Sequence, residues 1–167
     1  MRILAVCGSL KAGSANLALL KTVAALMPPG VDVVFFAALA DLPHFNPDLE
    51  ASGVPESVAR WRQALSESDA VLIASPEYGF SLPGALKNAI DWVIGSGELE
   101  QKVVAITAAT TSPERGRRGL HALRETLSAV RATIVGGEPI PTGVGLESQL
   151  AALVQELFEA ATLAHRR

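Results

Sequence analysis

Residues 1–16 read MRILAVCGSLKAGSAN, and this stretch sets the pattern for the whole chain. Arg2–Cys7 is an apolar run that predicts a buried strand. Gly8–Asn16 is a loop of small residues, rich in glycine and hydroxyl groups, which leads directly into a segment of helical period. The predicted helix has an apolar stripe of Leu17, Leu20, Ala24 and Met27 and ends at Pro28, Pro29 and Gly30.

The same alternation of a short apolar run and an amphipathic segment recurs along the chain. It is typical of a parallel sheet with crossover helices. The further strands are predicted at Val31–Phe36, Ala70–Ala74, Lys102–Ala108 and Thr133–Val135. The further helices are predicted from Pro55 onward with Val58, Trp61 and Leu65 on one face, over Gly84–Val93, around the stripe Leu120, Leu123, Leu127 and Val130, and over Ser148–His165.

Five such units predict an α/β fold: a doubly wound five-stranded parallel sheet in the order 2-1-3-4-5, with helices on both faces. Ligands of such sheets bind beyond the carboxyl ends of the strands, where the strand order reverses. The loops after strands one, three and four are therefore the candidate binding loops. The stretch containing Pro43, His44, Asn46 and Pro47 is predicted to be a plain connecting loop.

Composition narrows the possible partners. The 167 residues suit a single domain over 1–167, with 49% hydrophobic and 19% charged residues and a formal net charge of −3. This charge offers no broad basic face, so we expect neither nucleic acid nor a membrane as partner. No apolar run reaches the roughly 18 residues that a membrane span needs, and a cytoplasmic location is expected. Cys7 is the single cysteine, which excludes an internal disulfide and a cysteine-rich metal site.

The loop after strand one has the composition of an anion site. Backbone N–H groups at the start of a helix and the positive end of its dipole attract phosphate, and Ser9, Ser14 and Asn16 add polar side chains. Lys11 adds a positive charge. The Walker A loop would need lysine where Ser14 stands, and the dinucleotide fingerprint G-x-G-x-x-G is absent, so a monophosphate is favoured. The alternative is that Ser14 is only a helix N-cap in an ordinary turn.

The loop after strand three, residues 75–84, contains two aromatic residues, two prolines and two glycines. Pro76 and Pro83 stiffen the backbone and Gly79 permits close approach, so the loop could lie flat against a planar ring. Alternatively, it is simply a packed turn.

Two motifs carry a resemblance to a known family. Gly8-Ser9-x-Lys11-x-x-Ser14-x-Asn16 is followed by Pro76-Glu77-Tyr78 and then by residues 82–92, LPGALKNAIDW. Together they resemble the NADPH-dependent FMN reductases, flavodoxin-like proteins that include quinone, chromate and azo-dye reductases. The resemblance implies FMN as cofactor, NADPH or NADH as electron donor, and a homodimer or homotetramer. It also favours a subunit contact over a core position for the segment Lys87–Trp92.

The resemblance also implies which residues bind the cofactor. Ser9, Lys11, Ser14, Ala15 and Asn16 would hold the FMN phosphate, and Pro76, Glu77, Tyr78, Gly79 and Phe80 would line the isoalloxazine ring, with Thr110 and Thr111 contributing after strand four. The chain departs from the family pattern at Lys11, where arginine is usual, and at Gly79, where asparagine is common. The strand-four loop is also unusually basic. Its cluster of Arg115, Arg117 and Arg118 fits either the 2′-phosphate of NADPH or a solvated helix entry.

The predicted function is passage of electrons from NADPH or NADH through FMN to an acceptor such as a quinone, free flavin, azo compound or metal oxyanion. No catalytic residue is predicted, because the flavin carries the chemistry. No metal site is predicted either. The alternatives are a flavodoxin-type electron carrier without its own NAD(P)H oxidation and a nucleotide-binding domain without redox activity.

Overall fold

The computed structural model describes residues 1–112, 114–143 and 145–166. Five parallel strands form its sheet: β1 (Arg2–Cys7), β2 (Asp32–Phe36), β3 (Ala70–Ala74), β4 (Val103–Thr110) and β5 (Thr133–Pro141). Their order is β2-β1-β3-β4-β5, which confirms the predicted doubly wound topology. Every residue of β3 is buried, as expected for a central strand covered on both faces.

Five α-helices and one 3₁₀ turn, Leu39–Asp41, lie between the strands in the described chain, and a sixth helix follows β5. The helices are α1 (Ala15–Ala25), α2 (Pro47–Ser52), α3 (Glu56–Ser66), α4 (Gly84–Asp91), α5 (Arg117–Ala129) and α6 (Leu146–His165). One apolar core joins α3, α4 and α5 to one face of the sheet, and a second joins α1 and α6 to the other face. No helix in the described ranges is both long and apolar enough to span a bilayer.

The structure corrects three local predictions. In α1 the buried side chains are Asn16, Leu19, Leu20 and Val23, whereas Leu17 is only half-buried, so the apolar stripe was assigned about one position out of phase. The predicted loop around Pro47 contains the short helix α2, which Asn46 caps through a bond from the Asp48 N–H to its Oδ1 (2.9 Å).

The third correction is that β5 runs six residues beyond Val135. Gly136, Gly137, Pro139 and Pro141 indicate an end to a strand, but β5 is an edge strand, where proline is tolerated. The pairing shifts register between Ile106 and Ala108, and Gly136 takes a φ of 66° at this point. A Cβ on Gly136 would lie 2.8 Å from the Ile106 carbonyl oxygen, so only glycine fits.

Trp92 is a core residue of its own chain. It is fully buried, its indole N–H donates to the Pro43 carbonyl (2.7 Å), and its ring packs edge-on against Phe45 with centroids 5.1 Å apart. The expectation that its segment forms a subunit contact is therefore wrong for Trp92. Lys87 and Asp91 on the same helix remain at the surface as an i,i+4 ion pair.

Arg62 on α3 contacts three other segments of the chain. Its Nε and Nη2 donate to the Trp92 carbonyl at 3.2 and 2.7 Å, and it forms ion pairs with Glu50 of α2 and, at 3.9 Å, with Glu98. The Arg62 side chain is only 17% exposed. Because the guanidinium is shielded from water, losing it leaves a buried carbonyl and two carboxylates without their donor.

We expect Arg62→Gln to lower the free energy of unfolding by about 2–3 kcal/mol, the range for lost charge-assisted hydrogen bonds. Arg60→Gln is the matched control two residues away, since Arg60 is exposed and its ion pair is with the exposed Glu56. Its cost should stay below about 0.5 kcal/mol. Urea denaturation measures both values, and equal losses in the two variants would contradict the structural role of Arg62.

Candidate functional site

The carboxyl ends of β1, β3 and β4 lie side by side because the strands are parallel neighbours. The ladder extends one residue beyond the strands, since the Gly8 N–H donates to the Ala74 carbonyl and the Ser75 N–H to the Thr107 carbonyl, both at 2.9 Å. The first residues of two binding loops are thus fixed to the sheet. This arrangement brings the predicted binding loops to one edge of the fold.

The loop after β1 ends in a capped helix. The Ser14 Oγ accepts a hydrogen bond from the Asn16 N–H (3.2 Å) and so forms the N-cap of α1, and the Ser9 Oγ accepts one from the Lys11 N–H (3.3 Å). In the described part of the chain, the backbone N–H groups of Ala12 and Gly13 have no protein acceptor. The capping reading of Ser14 is confirmed, and the loop still presents unused donors beside the exposed Lys11.

Asn16 joins two binding loops. Its side chain is 4% exposed, and its Oδ1 accepts a hydrogen bond from the Ala109 N–H of β4 (2.9 Å). A residue predicted as a phosphate contact therefore also fixes the start of α1 to the end of β4. Its contact with a phosphate stays a prediction.

A cavity of about 360 Å³ opens where the loops meet, and we call it the loop cleft. Its size lies within the range of small-molecule sites. Five predicted residues from three loops meet in it: Ala15, Pro76, Glu77, Thr110 and Thr111. Its walls are completed by Ala108, Ala109, Arg115, Gly116 and Thr142.

Glu77 connects the loop after β3 with the start of α5. Its Oε2 accepts a hydrogen bond from the Gly119 N–H (3.0 Å), one of the first-turn donors of α5 that have no partner within the helix. The two residues are packed so closely that a Cβ on Gly119 would lie 2.9 Å from the Glu77 Cβ and 3.0 Å from its Cα. The position of the loop after β3 is thus coupled to the position of α5.

Tyr78, Gly79 and Phe80 project from the molecule on a tight hairpin. Tyr78 and Ser81 exchange two backbone hydrogen bonds, at 2.9 and 3.0 Å. Gly79 and Phe80 have φ values of 56° and 64°, the conformation of a type I′ turn. The Phe80 ring is 68% exposed, and the Arg118 guanidinium lies 4.3 Å from its centroid. These three predicted residues therefore lie outside the walls of the loop cleft.

Ser9 and Lys11 line a separate, smaller cavity of about 220 Å³ beside Cys7 and Phe35. A larger cavity of about 620 Å³ lies between β5 and α6, and it contains none of the residues predicted to bind FMN. Cavity volume therefore does not identify the binding site. The site is identified by the convergence of loops at the carboxyl ends of the strands.

Several residues of the loop cleft were missed by sequence reasoning. Thr142 follows β5, and its N–H donates to the Thr110 carbonyl (3.0 Å), but the predicted strand stopped too early to place it at the same edge. Gly116 forms the N-cap of α5 with a φ of 87°. A glycine just before a helical stripe is the signal that could have located this turn. Pro113 of the strand-four loop lies outside the described residues.

The chain is similar in sequence to known proteins. Residues 1–142 match the sequence profile of the NADPH-dependent FMN reductase family. An NAD(P)H-dependent FMN reductase of Pseudomonas aeruginosa is 38% identical over 129 residues, which cover 76% of this chain and 69% of that protein. A quinone reductase of Escherichia coli is 29% identical over 168 residues, covering 99% of this chain and 89% of that protein.

Among solved structures, an NAD(P)H:acceptor oxidoreductase flavoenzyme from Paracoccus denitrificans superimposes with a TM-score of 0.81. It is 26% identical, and the match covers 99% of this chain and 97% of that one. The fold and the sequence profile agree. The chain belongs to the NADPH-dependent FMN reductase family.

Proposed function

We propose that this chain holds FMN across the loop cleft and the loop after β1, and passes electrons from NAD(P)H to a small-molecule acceptor, with a quinone as the favoured acceptor. As a member of its family, the chain is an NAD(P)H-dependent oxidoreductase with FMN as its cofactor. The observation that carries the placement is the convergence of Ala15, Pro76, Glu77, Thr110 and Thr111 in one cavity.

The loop after β1 fits the phosphate of FMN. Ala12 and Gly13 offer backbone N–H groups without a protein acceptor in the described ranges, at the positive end of the α1 dipole. The Ser14 hydroxyl keeps its own proton to donate while its oxygen caps α1. Ser9, Lys11, Ala15 and Asn16 complete the proposed phosphate contacts.

The loop cleft fits the ring system. Pro76 and the Glu77 stem provide a stiff wall, and Ala108 and Ala109 of β4 provide a flat, small-residue floor. The hydroxyl groups of Thr110 and Thr111 border the opening. Tyr78, Gly79 and Phe80 would close over the ring as the outer face of the site.

The proposed reaction requires no catalytic side chain from the protein. FMN held there would supply the redox chemistry, which is hydride acceptance from a reduced nicotinamide and electron transfer to the acceptor, and this chemistry requires no protein acid or base. The task of the chain is to orient the ring and leave one face open to donor and acceptor in turn. Quinone is the acceptor class in the name of the Escherichia coli relative; free flavin, azo compounds and metal oxyanions are other candidates.

We also propose that the chain forms a homodimer or homotetramer in the cytoplasm. Exposed apolar side chains support an association surface: Ile94 is 56% exposed, and Phe45, which packs on the nearby Trp92, is 37% exposed. Sedimentation analysis of the purified protein would decide the oligomeric state. A monomer at micromolar concentration would exclude this part of the proposal.

The proposed function predicts that the FMN-loaded protein is bleached by NADPH or NADH under anaerobic conditions. The loss of the flavin band at about 450 nm reports the reduction. Addition of a quinone should then restore the band. Bound FMN that stays yellow with both coenzymes would instead favour the electron-carrier alternative.

Lys11→Gln should weaken FMN binding about tenfold, because it removes a charged phosphate contact, and should leave riboflavin binding unchanged, because riboflavin has no phosphate. Lys21→Gln is the matched control, since Lys21 is also exposed but lies on α1 away from the loop. Flavin fluorescence quenching gives the six dissociation constants, for wild type and both variants with each flavin. Equal losses for FMN and riboflavin would contradict the assignment of Lys11 to the phosphate.

Gly119→Ala should weaken both FMN and riboflavin binding, because the added methyl group displaces Glu77 and with it one wall of the loop cleft. The strain should also lower the free energy of unfolding by about 1–3 kcal/mol. Gly95→Ala is the control, since a Cβ at Gly95 meets no atom within 4 Å. Unchanged affinity for both flavins in Gly119→Ala would show that Glu77 does not shape the ring site.

A further inference from the structure

The three arginines at the start of α5 have different surroundings. Arg117 forms an ion pair with Glu138 (3.0 Å) and lines the cavity between β5 and α6. Arg115 lines the loop cleft, and Arg118 lies over the Phe80 ring. The cluster is therefore divided: Arg117 faces away from the loop cleft, and the other two border it or its hairpin.

Two nearby carboxylates interact electrostatically with Arg117. Glu138 contacts it directly, and Glu114, whose pKa is lowered first by hydrogen bonding from Ser112, is also influenced by the Arg117 charge. Across residues 1–112, 114–143 and 145–166, neither Arg115 nor Arg118 forms an ion pair with a carboxylate. Two positive charges therefore remain uncompensated by direct pairing beside the loop cleft.

The Arg118 guanidinium lies over the face of the Phe80 ring, 4.3 Å from its centroid. A bulky residue with a φ of 64° is uncommon, and such strain persists where the surrounding structure enforces it. Here the paired backbone bonds between Tyr78 and Ser81 enforce it. The exposed ring offers its face to the guanidinium, and a cation held over a ring face keeps the N–H donors at its edge available.

An arginine with available donors suits a phosphate dianion, to which guanidinium binds with two parallel hydrogen bonds. NADPH and NADH differ only in the 2′-phosphate of the adenosine ribose. Glu77 links the hairpin loop to α5 through Gly119, so the backbone segments that carry Phe80 and Arg118 lie next to each other beside the loop cleft.

We propose that Arg118, held on Phe80, together with Arg115, binds the 2′-phosphate of NADPH and makes this chain select NADPH over NADH. The inference rests on the proposed function and identifies the donor subsite of that same cleft. Arg117 takes no part, because it pairs with Glu138 and lines the cavity between β5 and α6 instead of the loop cleft.

The test compares Arg118→Gln with the control Arg60→Gln, an exposed arginine on α3 far along the chain. Stopped-flow reduction of the FMN-loaded protein gives the second-order rate constant for each coenzyme. For Arg118→Gln we expect about a tenfold or greater loss with NADPH and less than about a threefold change with NADH. Arg60→Gln should leave both values unchanged.

Calorimetry on the same variants gives a second readout that does not depend on turnover. Wild-type protein should bind adenosine 2′,5′-bisphosphate more tightly than adenosine 5′-monophosphate, and Arg118→Gln should remove that difference. Phe80→Leu, which keeps the charge but removes the ring, should reduce the difference in part. The dissociation constant of FMN, measured for each variant, should be unchanged in Arg118→Gln.

The two proposals fail in different ways. Equal losses with NADPH and NADH, or weaker FMN binding in Arg118→Gln, would overturn the 2′-phosphate assignment and leave the reductase function standing. Failure of both coenzymes to reduce FMN bound to the wild type would overturn the proposed reductase function. A wild type that binds the two adenosine nucleotides equally would overturn the assignment on its own.

Discussion

The backbone ladder between β1, β3 and β4 is the constraint on which the site depends. It continues past the strands through Gly8 and Ser75, so the two loops leave the sheet at a fixed spacing. The approach is so close that a Cβ on Gly8 would lie 2.8 Å from the Ser75 Oγ. A side chain at Gly8 would therefore have to displace Ser75, so the spacing of the two loops depends on a glycine at this position.

Two polar side chains within the site extend this frame. Asn16 fixes α1 to β4, and Glu77 fixes the loop after β3 to α5. Both bonds satisfy backbone donors that would otherwise be unpaired at a partly buried strand or helix end. A motif residue can therefore be essential to a binding site because it fixes the segments that form the site, even if it does not contact the ligand.

The sequence predicted those features that depend on local pattern. The bounds of β1 and β3 were predicted without error because both are uninterrupted apolar runs, and the sheet order followed from the five alternating units. The extension of β5 was not predictable, because its glycines and prolines resemble a strand end until the edge position and the register shift are known. The contact between Glu77 and Gly119 joins residues 42 positions apart, and no local pattern reports it.

The prolines of β5 also limit the pairing of another strand with this edge of the sheet. The Thr142 N–H points inward to Thr110, so by the alternation of a strand the nitrogens of Pro139 and Pro141 face the outer edge. Proline carries no N–H, and this stretch of the edge therefore cannot serve as a complete template for another strand. Copies that meet at this stretch of β5 would then have to bury helical or loop surfaces rather than extend the sheet, which protects this edge from the edge-to-edge growth that leads to fibrils.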